Sequence, residues 1–151
     1  MKHGFLAGAL VAALALAASP VHAQRSQQQQ GAAAAKGGST LGTVTLNRKL
    51  MADGQALTAG TYQVRLSDER PSPAVGESPD SERYVEFMRG GKVVAKALAT
   101  VVSNADIGPI AKGPKPPTNG SRVDTLKGND YVRVWINRGG ENYLIHMTPG
   151  A

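Results

Sequence analysis

The sequence predicts an all-β fold: a single antiparallel β-sandwich or small barrel of about seven strands, behind a signal peptide and a low-complexity leader. Three observations predict it. Short runs alternate apolar and polar residues, the period of a half-buried strand. Glycine and proline turn signals separate these runs at short intervals. No convincing run of helical period lies between them. Together these features are the pattern of an all-β sandwich or barrel.

Residues 1–23 read as a secretory signal peptide. Lys2 supplies a positive start, Phe5 to Ala18 an apolar core of 14 residues, and Val21-His22-Ala23 a small-x-small cleavage site. The apolar core is shorter than the ~20 residues that span a bilayer as a helix. Cleavage after Ala23 is therefore expected, with a secreted or periplasmic mature chain that has no membrane span. The chain has no cysteine. That excludes a lipid-anchored lipoprotein, disulfides, thiol nucleophiles and thiolate metal ligands. Loss of Lys2 takes Lys plus Arg from 17 to 16 against 11 Asp plus Glu, a net charge of +5. The basic residues are scattered and form no block of the kind that makes a nucleic-acid arm, so nucleic acid is not an expected partner.

Residues 24–40, QRSQQQQGAAAAKGGST, offer almost nothing to bury and read as a disordered leader. The β-domain is expected over 41–149. Val44 and Leu46 share one face of a strand over 43–50, and Ala52-Asp53-Gly54 signals a turn. Tyr62, Val64 and Leu66 form the buried set of a strand over 60–66.

The run Asp53-Gly54-Gln55-Ala56-Leu57-Thr58-Ala59-Gly60-Thr61-Tyr62-Gln63-Val64 resembles the G-x-x-L-x-A-G-x-Y-x-V hairpin of secreted bacterial β-sandwich modules. The resemblance covers about a dozen residues of the 151. It implies a sandwich and export, and it assigns no activity and no site residues.

Residues 67–82 form a charged loop with three prolines, long enough to be functional or mobile. A hairpin follows over 83–102. A three-residue turn at Arg89-Gly90-Gly91 would place Val85 with Ala95 and Phe87 with Val93 inside, and Tyr84 with Lys96 outside. Ala97, Ala99 and Val101 continue the inner row. Residues 103–121 are a second long loop, locally extended at Pro114-Lys115-Pro116-Pro117. Its Asn119-Gly120-Ser121 matches a glycosylation acceptor. A short strand over 121–127 turns at Gly128-Asn129 into the last hairpin, with strands over 130–137 and 141–147.

Gly139-Gly140 can supply the positive φ angles of a two-residue turn in that last hairpin. This register sets Ile136 opposite Tyr143, Val134 opposite Ile145 and Val132 opposite Met147 on one apolar face. Tyr131, Arg133, Trp135, Leu144 and His146 lie on the other face, with Trp135 opposite Leu144 and Arg133 opposite His146. Trp, Tyr and Arg dominate interface hot spots, so these five residues are the candidate binding face. The competing expectation is that the long loops, or Arg133 stacked on Trp135, cover it.

His146 is the only histidine expected after processing, which excludes a His-rich metal site. Asp124, Asp130 and Glu141 lack the spacing of a calcium loop, and prolines and Arg70 break the acidic run over 68–82. No cofactor and no metal is expected. The Gly-Gly turns after Arg89 and Arg138 lack the following helix that would give them phosphate affinity. No nucleophile elbow accompanies His146, and a neighbouring Arg133 would disfavour its charged form. The expected function is non-catalytic binding of an envelope protein or surface polysaccharide. A structural or assembly subunit using strand 43–50 as a free edge is one alternative. A small hydrolase using His146 is the other.

Overall fold

The computed structural model describes residues 38–151. The expected signal peptide, and the leader as far as residue 37, lie outside the described residues. The fold is all-β. Its strands are β1 (Thr40–Leu46), β2 (Leu50–Ala52), β3 (Gln55–Leu57), β4 (Gly60–Leu66), β5 (Glu82–Arg89), β6 (Lys92–Ser103), β7 (Ser121–Leu126), β8 (Tyr131–Arg138) and β9 (Glu141–Pro149). One helical turn, α1 (Ile107–Ile110), interrupts the second long loop.

All pairs are antiparallel, in one sheet. The order runs β1-β4-β5-β6-β9, then β8 and β7 on the far edge of β9. The β2–β3 hairpin joins the C-terminal end of β9 at Thr148 and Pro149. The sheet's two ends meet through side chains. Ser121 Oγ on β7 donates to the carbonyl of Thr43 on β1 at 2.7 Å, and Arg48 Nη2 donates to Thr125 Oγ1 at 2.8 Å. The sheet thus wraps one core, in which Val44, Tyr62, Val64, Phe87, Val134 and Ile145 are almost wholly excluded from water.

The last hairpin pairs as the two-residue turn requires. Val132 meets Met147, Arg133 meets His146, Val134 meets Ile145, Trp135 meets Leu144 and Ile136 meets Tyr143. Gly139 and Gly140 take φ values of 62° and 84°, the left-handed pair that matches the twist of the flanking strands.

Three expectations are corrected. The β5–β6 turn has two residues, Gly90-Gly91, and Val94 is an extra residue beyond it, so Phe87 pairs with Ala95, Val85 with Ala97 and Tyr84 with Leu98. Val93 is consequently exposed rather than inside. The strand expected over 43–50 ends at Leu46. The chain bends at Asn47-Arg48-Lys49 and starts the separate β2–β3 hairpin. Order also begins before Leu41: the Ser39 carbonyl accepts the Leu66 N–H at 2.9 Å.

The Thr58–Tyr62 run has a specific packing reason. Arg89 lies over the Tyr62 ring, its Cζ 4.4 Å from the ring centre, and Nη2 donates to the Ala59 carbonyl at 3.0 Å. A Cβ at Gly60 would fall 1.8 Å from that Nη2, and Gly60 has a φ of 143°. Only glycine leaves room for the guanidinium there.

Candidate functional site

Residues 104–120 cross the outer face of β7, β8 and β9 as a strap. The sequence of the strap explains how it is held. Prolines at 109, 114, 116 and 117 remove backbone donors, so the segment is rich in carbonyls that need partners. Long side chains from the sheet supply the donors. Arg133 Nη2 donates to the Lys112 carbonyl at 2.8 Å, Arg122 Nη1 to the Pro114 carbonyl at 3.3 Å and Asn137 Nδ2 to the Pro116 carbonyl at 3.0 Å. The accepting carbonyls recur every second residue, which is the period of an extended chain.

Beneath the strap lies a second apolar cluster of Val102, Ile107, Ala111, Trp135 and Leu144. The polar edge of Trp135 is satisfied: Nε1 donates to Asn142 Oδ1 at 2.8 Å. Asn142 Nδ2 in turn donates to Asn104 Oδ1 at 2.9 Å, tying the strap to β9. The Arg133 guanidinium sits 4.9 Å from the Trp135 ring centre and bonds Asp124 Oδ2 at 3.0 Å. Asp124 also accepts from Arg122 Nε. Burial pushes the Asp124 carboxyl up, but the bonds from Arg122 and Arg133 outweigh it and hold the group below its ordinary range.

The five-residue candidate face is therefore divided. Trp135, Leu144 and Arg133 are 1%, 3% and 5% exposed, so they form a covered floor rather than a contact surface. For these three residues the competing expectation holds: the second long loop and Arg133 stacked on Trp135 cover the face. Tyr131 is 43% exposed and His146 is also open to solvent. These two residues line a concavity of about 430 Å³, together with Leu126 and Lys127.

The concavity is built by the turn between β7 and β8. Lys127, Gly128 and Asn129 take successive φ values of 45°, 61° and 85°, one left-handed turn. Each non-glycine residue held there costs roughly 1–2 kcal/mol, with Asn the more tolerant type. The turn carries Lys127 back over β8, where its Nζ lies 5.8 Å from the centre of the Tyr131 ring. Arg133, directly opposite His146, forms the charged backing. Burial lowers the pKa of His146, and the Arg133 charge lowers it further, so the imidazole is neutral at pH 7.

Leu126 and Lys127 were not legible as site residues. Their sequence signal is slight: a Lys-Gly-Asn-Asp turn followed at once by an aromatic strand residue. Among the described residues, no group of three or more His, Cys, Asp or Glu gathers at metal-binding range. No helix among them is long and apolar enough to cross a membrane. The fold and site define an all-β chain with a small aromatic, imidazole and ammonium concavity beside a strapped hairpin. Comparison with family models, curated proteins and solved structures finds no match.

Proposed function

We propose that the chain is an exported, non-catalytic β-domain that binds an envelope protein or a surface polymer. The observation that carries this is the concavity lined by Leu126, Lys127, Tyr131 and His146. It combines apolar walls with a few polar groups, the usual composition of a binding site. Its walls stand on a rigid base, because the strap and the Arg133–Asp124 pair fix the strands behind them. Export is the inference drawn from the N-terminal sequence.

The setting of His146 supports binding over hydrolysis. A general base of the triad type is oriented by a carboxylate behind it. The charge that acts on His146 is the Arg133 guanidinium, which has the opposite sign. The test is retention of the full chain on the envelope fraction of its own host. Wild type is expected to be retained, and a Tyr131→Ala, His146→Ala double variant with an unchanged melting temperature is expected to be released. Equal retention would remove the concavity from the function. Loss of a hydrolytic turnover in His146→Ala would overturn the non-catalytic reading.

A further inference from the structure

We propose that the Leu126–Lys127–Tyr131–His146 concavity holds one acidic sugar unit of a surface polyanion. This rests on the binding function proposed above and names its ligand class.

The extent of the exposed surface argues for a polymer rather than a protein. A stable protein partner covers about 800 Å² per side around a desolvated apolar centre. Here the large apolar residues of the hairpin's outer face, Trp135 and Leu144, lie under the strap. What stays open is Tyr131 and His146, beside a rim of Lys127, Gly128, Asn129 and Asp130 that is polar and exposed. That is a contact the width of one unit. A polymer compensates a small contact by repetition, since neighbouring units rebind at high effective concentration.

The lining argues for a sugar. A pyranose ring presents C–H groups on its faces and hydroxyls around its edge. Tyr131 and Leu126 offer flat and aliphatic apolar surface to such a face. The imidazole of His146, neutral and so both donor and acceptor, suits the hydroxyl edge.

The charges argue for an acid. Lys127 is exposed and takes part in none of the ion pairs among the described residues. Its ammonium lies over one face of the Tyr131 ring, 5.8 Å from the ring centre, so a sugar packed on the exposed part of Tyr131 would bring its carboxylate within reach. Arg122 and Arg133 share the single carboxylate of Asp124, and the whole chain is +6, or +5 without Lys2. Both favour approach of a polyanion. The left-handed turn sets the backbone of Lys127 and so the point from which its side chain departs toward Tyr131.

The experiment is calorimetric titration of the full chain, at fixed ionic strength, with polygalacturonate and with its fully methyl-esterified form. The ester keeps the sugar ring and removes the charge. Wild type is expected to bind the acid at least about tenfold more tightly than the ester, the scale of one charge-assisted bond. Lys127→Gln should weaken acid binding by about that factor and leave the ester unchanged. Tyr131→Ala should weaken both. Both side chains are exposed, so melting temperatures should not move, and that control shows the fold intact. Equal affinity for acid and ester, or no effect of Lys127→Gln, overturns the acidic-sugar assignment. So does acid binding that Tyr131→Ala leaves intact, which would be general attraction to a polyanion. If neither polymer binds while the host envelope fraction still retains the chain through Tyr131 and His146, the ligand assignment fails and the binding function stands. Failure of that retention as well removes both.

Discussion

Arg133 on β8 reaches Asp124 on β7 across the ladder, Nη2 to Oδ2 at 3.0 Å, with both side chains nearly closed to water at 7% and 11% exposure. The two residues face each other directly in the strand register. Their pairing is the hub from which the strap, through the Lys112 and Pro114 carbonyls, and the Trp135 floor are organised.

Removing the carboxylate should therefore cost more than a surface ion pair would. Asp124→Ala leaves Arg133 buried with the Lys112 carbonyl as its remaining partner. Breaking a buried pair from one side costs about 3 kcal/mol, which in a domain of this size lowers the melting temperature by roughly 10–15 °C. An Asp124→Leu, Arg133→Met double variant should lose less than the two single changes added together, because no charge is then stranded. Thermal melts of wild type, Asp124→Ala, Asp124→Leu, Arg133→Met and the double variant check this. Additive losses would show that the pair does not act as a unit.

The core of the last hairpin was legible because its turn left no freedom. Gly139-Gly140 fixes the pairing, and strict alternation fixes the face. Val134 is fully buried in that core, opposite Ile145. A carboxylate placed there has no partner, so Val134→Asp should leave the domain unfolded at 25 °C by circular dichroism. A soluble variant melting at the wild-type temperature would be incompatible with the register.

Elsewhere the sequence was less informative, for physical reasons. Val93 and Val94 are both apolar, so alternation carried no mark of the extra residue that shifts β5 against β6. Strands β2 and β3 have three residues each, too few to show a period. The cover over Trp135 depends on Asn142, Asn104 and the strap's carbonyls, whose pairing is a tertiary property. The aromatic and basic composition of the outer face was correctly read, but composition alone does not distinguish Trp135, which is covered, from Tyr131, which is open. Lys127 joins the site through a left-handed turn that a lysine does not announce.

Tyr143 gives the fold an alkaline limit. It is buried in the core, and its hydroxyl donates to Glu141 Oε2 at 2.8 Å. Burial, reinforced by the bond to Glu141, raises its pKa from 10.0 to about 12. The unfolded chain therefore loses this proton first. Between those two values the folded state binds more protons, and stability falls as pH rises. Tyr143→Phe should change stability at pH 7 by no more than about 1 kcal/mol and should move the alkaline unfolding midpoint upward. Circular dichroism along a pH titration checks this. An unmoved midpoint would assign alkaline unfolding to other groups.

His146 acts on the acid side with the opposite sign. Its folded pKa lies below the ordinary 6.5, through burial and the Arg133 charge. As pH falls through 6.5, the unfolded chain takes up this proton before the folded chain does. The unfolded state then binds more protons, so stability drops, and the drop is complete once pH passes the folded value. Asp124 adds its own loss only lower, as pH falls below its ordinary 3.8 through its depressed folded value. Between pH 7 and pH 5 the difference between wild type and a His146→Gln variant therefore isolates the imidazole. The imidazole is only partly withdrawn from water, which limits the size of the effect. Melting temperatures at those two pH values, at constant ionic strength, should fall less in His146→Gln than in wild type. Parallel curves would mean that neither burial nor the facing Arg133 acts on the ring, and the electrostatic backing assigned to the concavity would be wrong.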